Sequence, residues 1–97
     1  MSGIRFHLEA LAEFRAAARF YESRRPGLGF AFAAEVERVA SLIEAHVEIG
    51  SPYSQNLRRA FVTRFPYLIV YRQIADGIEI VAVAHQHRQP GYWRGRA

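Results

Sequence analysis

Phe65 to Arg96 reads FPYLIVYRQIADGIEIVAVAHQHRQPGYWRGR. Tyr67 to Ile74 is rich in β-branched and aromatic residues, and Ile78 to Ala84 is largely aliphatic. Between Ala75 and Ile78 stand only Asp76-Gly77, a pair suited to a type I′ turn because both central positions need positive φ. The stretch therefore reads as a β-hairpin. Beyond it, His85-Gln86-His87-Arg88-Gln89-Pro90-Gly91-Tyr92-Trp93-Arg94-Gly95-Arg96 gathers donors, cations and stacking surfaces where a core strand ends. Pro90 and Gly91 stop that strand from continuing. Such an ending points to a binding role.

Upstream, Ile4-Arg5-Phe6-His7-Leu8 alternates apolar and polar residues as a short strand does. From about Leu8 the period changes. Leu11, Phe14, Ala18 and Tyr21 form one apolar helical stripe ending near Arg25, and Pro26-Gly27 stops it. A second helix is expected from about Gly29 to Glu48, with Phe32, Val36, Val39 and Ile43 as its stripe and Gly50-Ser51-Pro52 closing it. The short connection makes the pair an antiparallel αα-hairpin. Tyr53 to Leu57 reads as a polar loop, and Arg58 to Phe65 as a strand entering the hairpin through Pro66. The expected fold is α+β: an N-terminal strand and an antiparallel helical hairpin packed on a mainly antiparallel β-sheet, with a basic aromatic C-terminal tail. Residues 1–97 make one domain.

Hydrophobic residues are 51% and aromatics 13% of the chain, enough for a core without staples. No run approaches the roughly 18 apolar residues that span a bilayer, and the first residues lack the apolar core of a signal peptide. With no cysteine there is neither a disulfide framework nor a thiolate site, which fits a reducing cytoplasm. The formal charge is +4, and all 13 Lys and Arg positions are arginine. Arginine's planar fork suits carboxylates and phosphates, so the expected partners are acidic: nucleic acid or an acidic protein segment.

Pairing the hairpin around a two-residue turn sets Ala75 opposite Ile78, Tyr71 opposite Ala82, Val70 opposite Val83 and Leu68 opposite His85. One sheet face then carries Tyr67, Ile69, Tyr71, Ile80, Ala82 and Ala84. The other carries Leu68, Val70, Ile74, Val81 and Val83, with Arg72 and Glu79 diagonal to each other. Both faces are apolar, yet one helical hairpin covers only one. The face with Leu68, Val70, Val81 and Val83 is expected to meet a partner, another copy of the chain or a different protein; cover by the chain's own tail is the alternative.

In the tail, His85 and His87 are two apart and point to one side of an extended chain. No cysteine and no nearby carboxylate completes a tetrahedral site, so no metal is expected. A histidine with an arginine and a tyrosine can serve phosphoryl transfer on RNA, which needs a base, an acid and a cation. It can equally be structural, bonding backbone at a strand end. Arg58, Arg59, Arg64 and Arg72 form a second basic group, with Phe61 and Phe65 interleaved. Glu9, Glu13 and Glu22, with Arg15 and Arg19, read as a mixed solvated helix face. P-loop, dinucleotide and nucleophile motifs are absent.

These residues carry a resemblance. Leu28-Gly29 with Phe32, the string Arg64-Phe65-Pro66-Tyr67-Leu68-Ile69-Val70-Tyr71, and the closing Val83-Ala84-His85-Gln86-His87-Arg88-Gln89-Pro90-Gly91-Tyr92-Trp93 resemble the RelE/ParE toxin superfamily of type II toxin–antitoxin modules. The similarity covers nearly the whole chain. It implies a small cytoplasmic toxin, without cofactor, neutralised by a cognate antitoxin that carries any contact with operator DNA. The RelE-like branch cleaves messenger RNA on the ribosome with one arginine inside the central strand and another after the last. The second falls on Arg88; the first falls on Leu68, so that cation is missing. The chain is more similar to the ParE-like branch, which poisons DNA gyrase. Contacts with target or partner are expected through Arg64, Arg72, Arg88, Trp93 and Arg94, as charge-assisted forks and a rigid aromatic anchor. The ribonuclease alternative would place catalysis on His85, His87, Arg88 and Tyr92; a non-toxic protein-binding module is the other alternative.

Overall fold

Small side chains decide how closely the two helices approach. In the computed structural model, which describes residues 3–54 and 56–96, β1 (Gly3–Phe6) leads into α1 (Leu8–Arg24) and α2 (Leu28–Ala45). The deepest positions of α1 are Ala10 and Ala17, with Phe14, Ala18 and Tyr21 packed at their flanks. The expected stripe on α1 is thus turned slightly, so that alanines form its centre line and aromatics its walls. On α2 the stripe is as expected: Phe32, Val36, Val39 and Ile43 are all buried. Where the helices meet, Gly29 lies so near α1 that an added Cβ would stand 2.6 Å from the Ala18 carbonyl oxygen. Glu22 completes the joint. Its carboxylate accepts from the Gly27 and Gly29 amides, at 3.0 and 2.9 Å, satisfying donors that a helix start otherwise leaves open.

After a 3-10 turn at Val47–Ile49 come β2 (Ser51–Ser54), β3 (Leu57–Phe61), β4 (Tyr67–Ile74) and β5 (Gly77–His85), and a last 3-10 turn at Arg94–Arg96. The sheet order is β1-β5-β4-β3-β2. All pairs are antiparallel except β1 with β5, which the intervening helices make parallel. The architecture is the α+β class read from the sequence. No helix among the described residues is long and apolar enough to cross a membrane.

Two stretches of the sheet correct the sequence reading. The polar loop at Tyr53 to Leu57 is largely strand: Ser51 pairs with Arg59, Pro52 with Arg58 and Ser54 with Leu57; Gln55 of that segment lies outside the described residues. Proline is tolerated because β2 is an edge strand, and Tyr53 packs its ring against the sheet. The strand expected from Arg58 to Phe65 ends at Phe61. A turn follows in which Arg64 takes φ 75°, and the Val62 amide donates to the Tyr67 carbonyl.

The second correction is the hairpin register. The turn residues are Ala75 and Asp76, and Ile74 pairs with Gly77, not Ala75 with Ile78. An irregularity then falls between Val70 and Tyr71: Tyr71 faces Ile80, while Val70 faces Ala82. Val81 is the extra residue of a β-bulge. Beyond it Ile69 faces Val83 and Leu68 faces Ala84. Val83 therefore joins Ile69, Tyr71 and Ile80 beneath the helices, while Ala82 and Ala84 move to the opposite face. Arg72 and Glu79 are directly opposite rather than diagonal. Gly77, at φ 149°, lets β1 start alongside, since a Cβ there would collide with the Gly3 carbonyl.

Gly29→Ala is expected to push α1 and α2 apart and cost about 1–3 kcal/mol, as overpacking does. Chemical denaturation of the variant measures it; an unchanged midpoint would mean the helices do not need this contact.

Candidate functional site

The sheet face opposite the helices is a second core. Leu57, Leu68, Val70, Val81, Ala82 and Ala84 are buried there together with Trp93, and Tyr53 and Tyr92 pack on its margin. A tryptophan and two tyrosines supply roughly 150–250 Å² of apolar surface each. Their rings form one continuous cover, Tyr53 to Trp93 at 5.5 Å and Trp93 to Tyr92 at 5.0 Å. The face expected to be open to a partner is therefore closed by the chain's own tail. Leu68, Val70 and Val81 lie beneath the cover, and Val83 lies on the helix side. Trp93, 3% exposed, is a lid residue rather than a free anchor.

Arg96 fastens the tail. Its guanidinium grips both Glu13 carboxylate oxygens, at 3.0 and 2.8 Å, and donates to the Val81 carbonyl at 3.1 Å. Its Nε lies 3.1 Å from Glu9. The same Glu13 Oε1 accepts the Val83 amide at 3.0 Å. β1 pairs with β5 only as far as Ile80, so Glu13 and Arg96 satisfy backbone groups on the edge that β1 leaves. The Glu13 hydrogen bond holds the Arg96 guanidinium above its ordinary pKa. Sequence reasoning placed Glu9, Glu13 and Glu22 on a solvated face; all three have partners. The available signal was the four-residue spacing of Glu9 and Glu13, which sets both on one side of α1.

The tail histidines and the Arg88–Tyr92 pair make separate contacts. The His87 amide donates to His85 Nδ1 at 3.1 Å, and the His85 ring meets Tyr67 edge-on at 5.2 Å. Arg88 stacks over Tyr92, its Cζ 4.1 Å from the ring centre, and is exposed. The Tyr92 phenol is pushed up by burial first and by the Glu13 carboxylate second, which disfavours its anion. Of the other arginines, Arg72 sends Nε and Nη2 to Glu79 at 2.9 Å, so its charge is engaged by a buried carboxylate. Arg64 and Arg94 are exposed. Arg64, Arg88 and Arg94 thus offer accessible forks at the turn and tail.

A helical hairpin on a five-stranded sheet, closed by a cationic aromatic tail, describes a small protein that presents charged surface around two sealed cores. The sequence pattern of the family described as "ParE toxin of type II toxin-antitoxin system, parDE" matches residues 4–90, and the chain belongs to that family. A solved structure described as "Chromosomal ParDE TA system from P. aeruginosa" is similar in fold, with TM-score 0.75 and 15% sequence identity over 88% of this chain and 96% of that one. Comparison with curated protein sequences gives no significant match.

Burial is the leading cause that raises the phenols of Tyr21, Tyr67, Tyr71 and Tyr92 above their ordinary value of 10.0. A raised folded-state pKa gives stability that is whole below pH 10 and lost as the pH rises through the folded value. The urea midpoint is therefore expected to fall above pH 10, and Tyr92→Phe to flatten that fall. Identical alkaline slopes in the two proteins would show that Tyr92 does not contribute.

Proposed function

We propose that this chain is the toxin of a type II toxin–antitoxin module, that it inhibits DNA gyrase in the cytoplasm, and that a cognate antitoxin neutralises it by binding. Operator DNA is contacted only through the antitoxin. The observation that carries this reading is the ParE-family match across residues 4–90. The structural neighbour, described as a ParDE system, supports the pairing with an antitoxin.

The central strand supports the choice of gyrase over message. Leu68, where the ribonuclease branch carries a cation, is 7% exposed in an apolar cluster. A charge there would have to leave water without a partner. His85 spends its Nδ1 on the backbone, and Tyr92 faces Glu13 with a disfavoured anion. A buried phenol that resists ionisation weighs against Tyr92 as the base that phosphoryl transfer requires. Arg64, Arg88 and Arg94 are exposed forks able to meet a target, and Arg88 and Arg94 share the tail.

Supercoiling by purified gyrase, measured beside cleavage of ribosome-bound message, tests the proposal. Arg88→Glu and Arg94→Glu are each expected to weaken gyrase inhibition at least about tenfold, the scale of one lost charge-assisted contact, with thermal melts near wild type. His85→Ala and His87→Ala should keep most of it. Cleaved message, with losses of about 10²-fold or more in well-folded histidine variants, would identify a ribonuclease instead.

A further inference from the structure

The groove between α2 and the uncovered end of β3 is a surface that the tail does not reach. Val39 and Leu42 from α2, Ile49 from the 3-10 turn and Phe61 from β3 line a cavity of about 390 Å³, with Arg38 and Arg59 at its rim. Leu42, Ile49 and Phe61 are 37, 50 and 55% exposed, unusual for large apolar side chains that share one depression.

The backbone there is open as well. β2 accompanies β3 from Leu57 to Arg59 only, so Phe61 runs past the end of its neighbour. The Val62 amide bonds to β4, and alternation along a strand turns the Phe61 amide and carbonyl the other way, towards the groove. The rim is cationic. Arg38 is paired with Glu35 and Thr63. Arg59 has no hydrogen bond or ion pair among the described contacts. Its guanidinium lies 4.6 Å from the Tyr53 ring centre and 5.7 Å from that of Phe61. Among the described residues its Nε is the buried side-chain polar atom left without a partner. A buried donor in that condition is costly until an acceptor arrives.

We infer that this groove docks an acidic, apolar-anchored segment of the antitoxin, which sets apolar side chains on Leu42, Ile49 and Phe61, a carboxylate on Arg59, and backbone against Phe61. The inference rests on the toxin–antitoxin reading and adds the place and chemistry of capture. The lining holds no carboxylate, and with Arg38 already paired to Glu35 its uncompensated cation is Arg59, so an acidic segment is attracted there and a second copy of this net-basic chain is not.

The test uses the full chain and the product of the neighbouring reading frame, mixed and followed by titration calorimetry. Leu42→Asp, Ile49→Asp and Arg59→Glu are expected to weaken binding at least about 30-fold, a loss typical of interface anchors. Phe30→Ser removes a still more exposed ring outside the groove and should stay within about threefold, as most peripheral contacts do. Hydrogen exchange read at the Phe61 amide supplies a measure that needs no substitution: protection should rise on complex formation. Wild-type affinity in the folded groove variants, with Phe61 exchange unchanged, overturns the inference and leaves the antitoxin reading intact. No binding by the wild-type chain overturns both. Self-association that is lost in the groove variants, without antitoxin protection of Phe61, would assign the surface to a second copy and also overturn it.

Discussion

The β-bulge at Val81 is the constraint on which both cores depend. Because side chains alternate with a period of two, one inserted residue exchanges the faces of everything beyond it. Val83 is delivered to the helix-side core, and Ala82 and Ala84 to the tail side. Val83 thus faces Ile69 on the helix side, and two small residues stand on the side where the Trp93 indole packs. Without the bulge the tail would meet a valine where it now meets alanines, and the helices would lose a core contact.

Much of this fold was legible. The 3.6-residue stripe on α2 and the β-branched runs of β4 and β5 each carry a strong local signal. The register did not. Val81-Ala82-Val83-Ala84 contains no polar residue to mark which side faces water, so alternation cannot locate the extra residue. β2 is hidden by Ser51-Pro52 and Ser54, which have turn chemistry; pairing with β3 and the packing of Tyr53 against the second core make the segment a strand. In α1, alanines at the centre line carried less signal than the larger residues beside them.

The candidate site divides along similar lines. Arg88 and Arg94 stand out in the sequence as tail arginines at a strand end, and both are exposed. Trp93 was singled out for its size, but sequence does not tell whether a large ring faces outward or covers its own sheet. The Glu13–Arg96 clasp was missed because its partners are 83 residues apart, beyond any local pattern. The groove beside Phe61 was equally hidden, since it depends on where β2 stops.

The clasp has a bearing on synthesis. The first helix and the last turn meet across almost the whole chain, and long-range contacts are the ones that loop closure delays. While the chain emerges, the hairpin can form and the helices can settle, but Leu68, Val70 and Val81 stay bare until residue 96 is free to reach Glu13. For that interval the molecule displays an oily sheet face that the finished protein never shows.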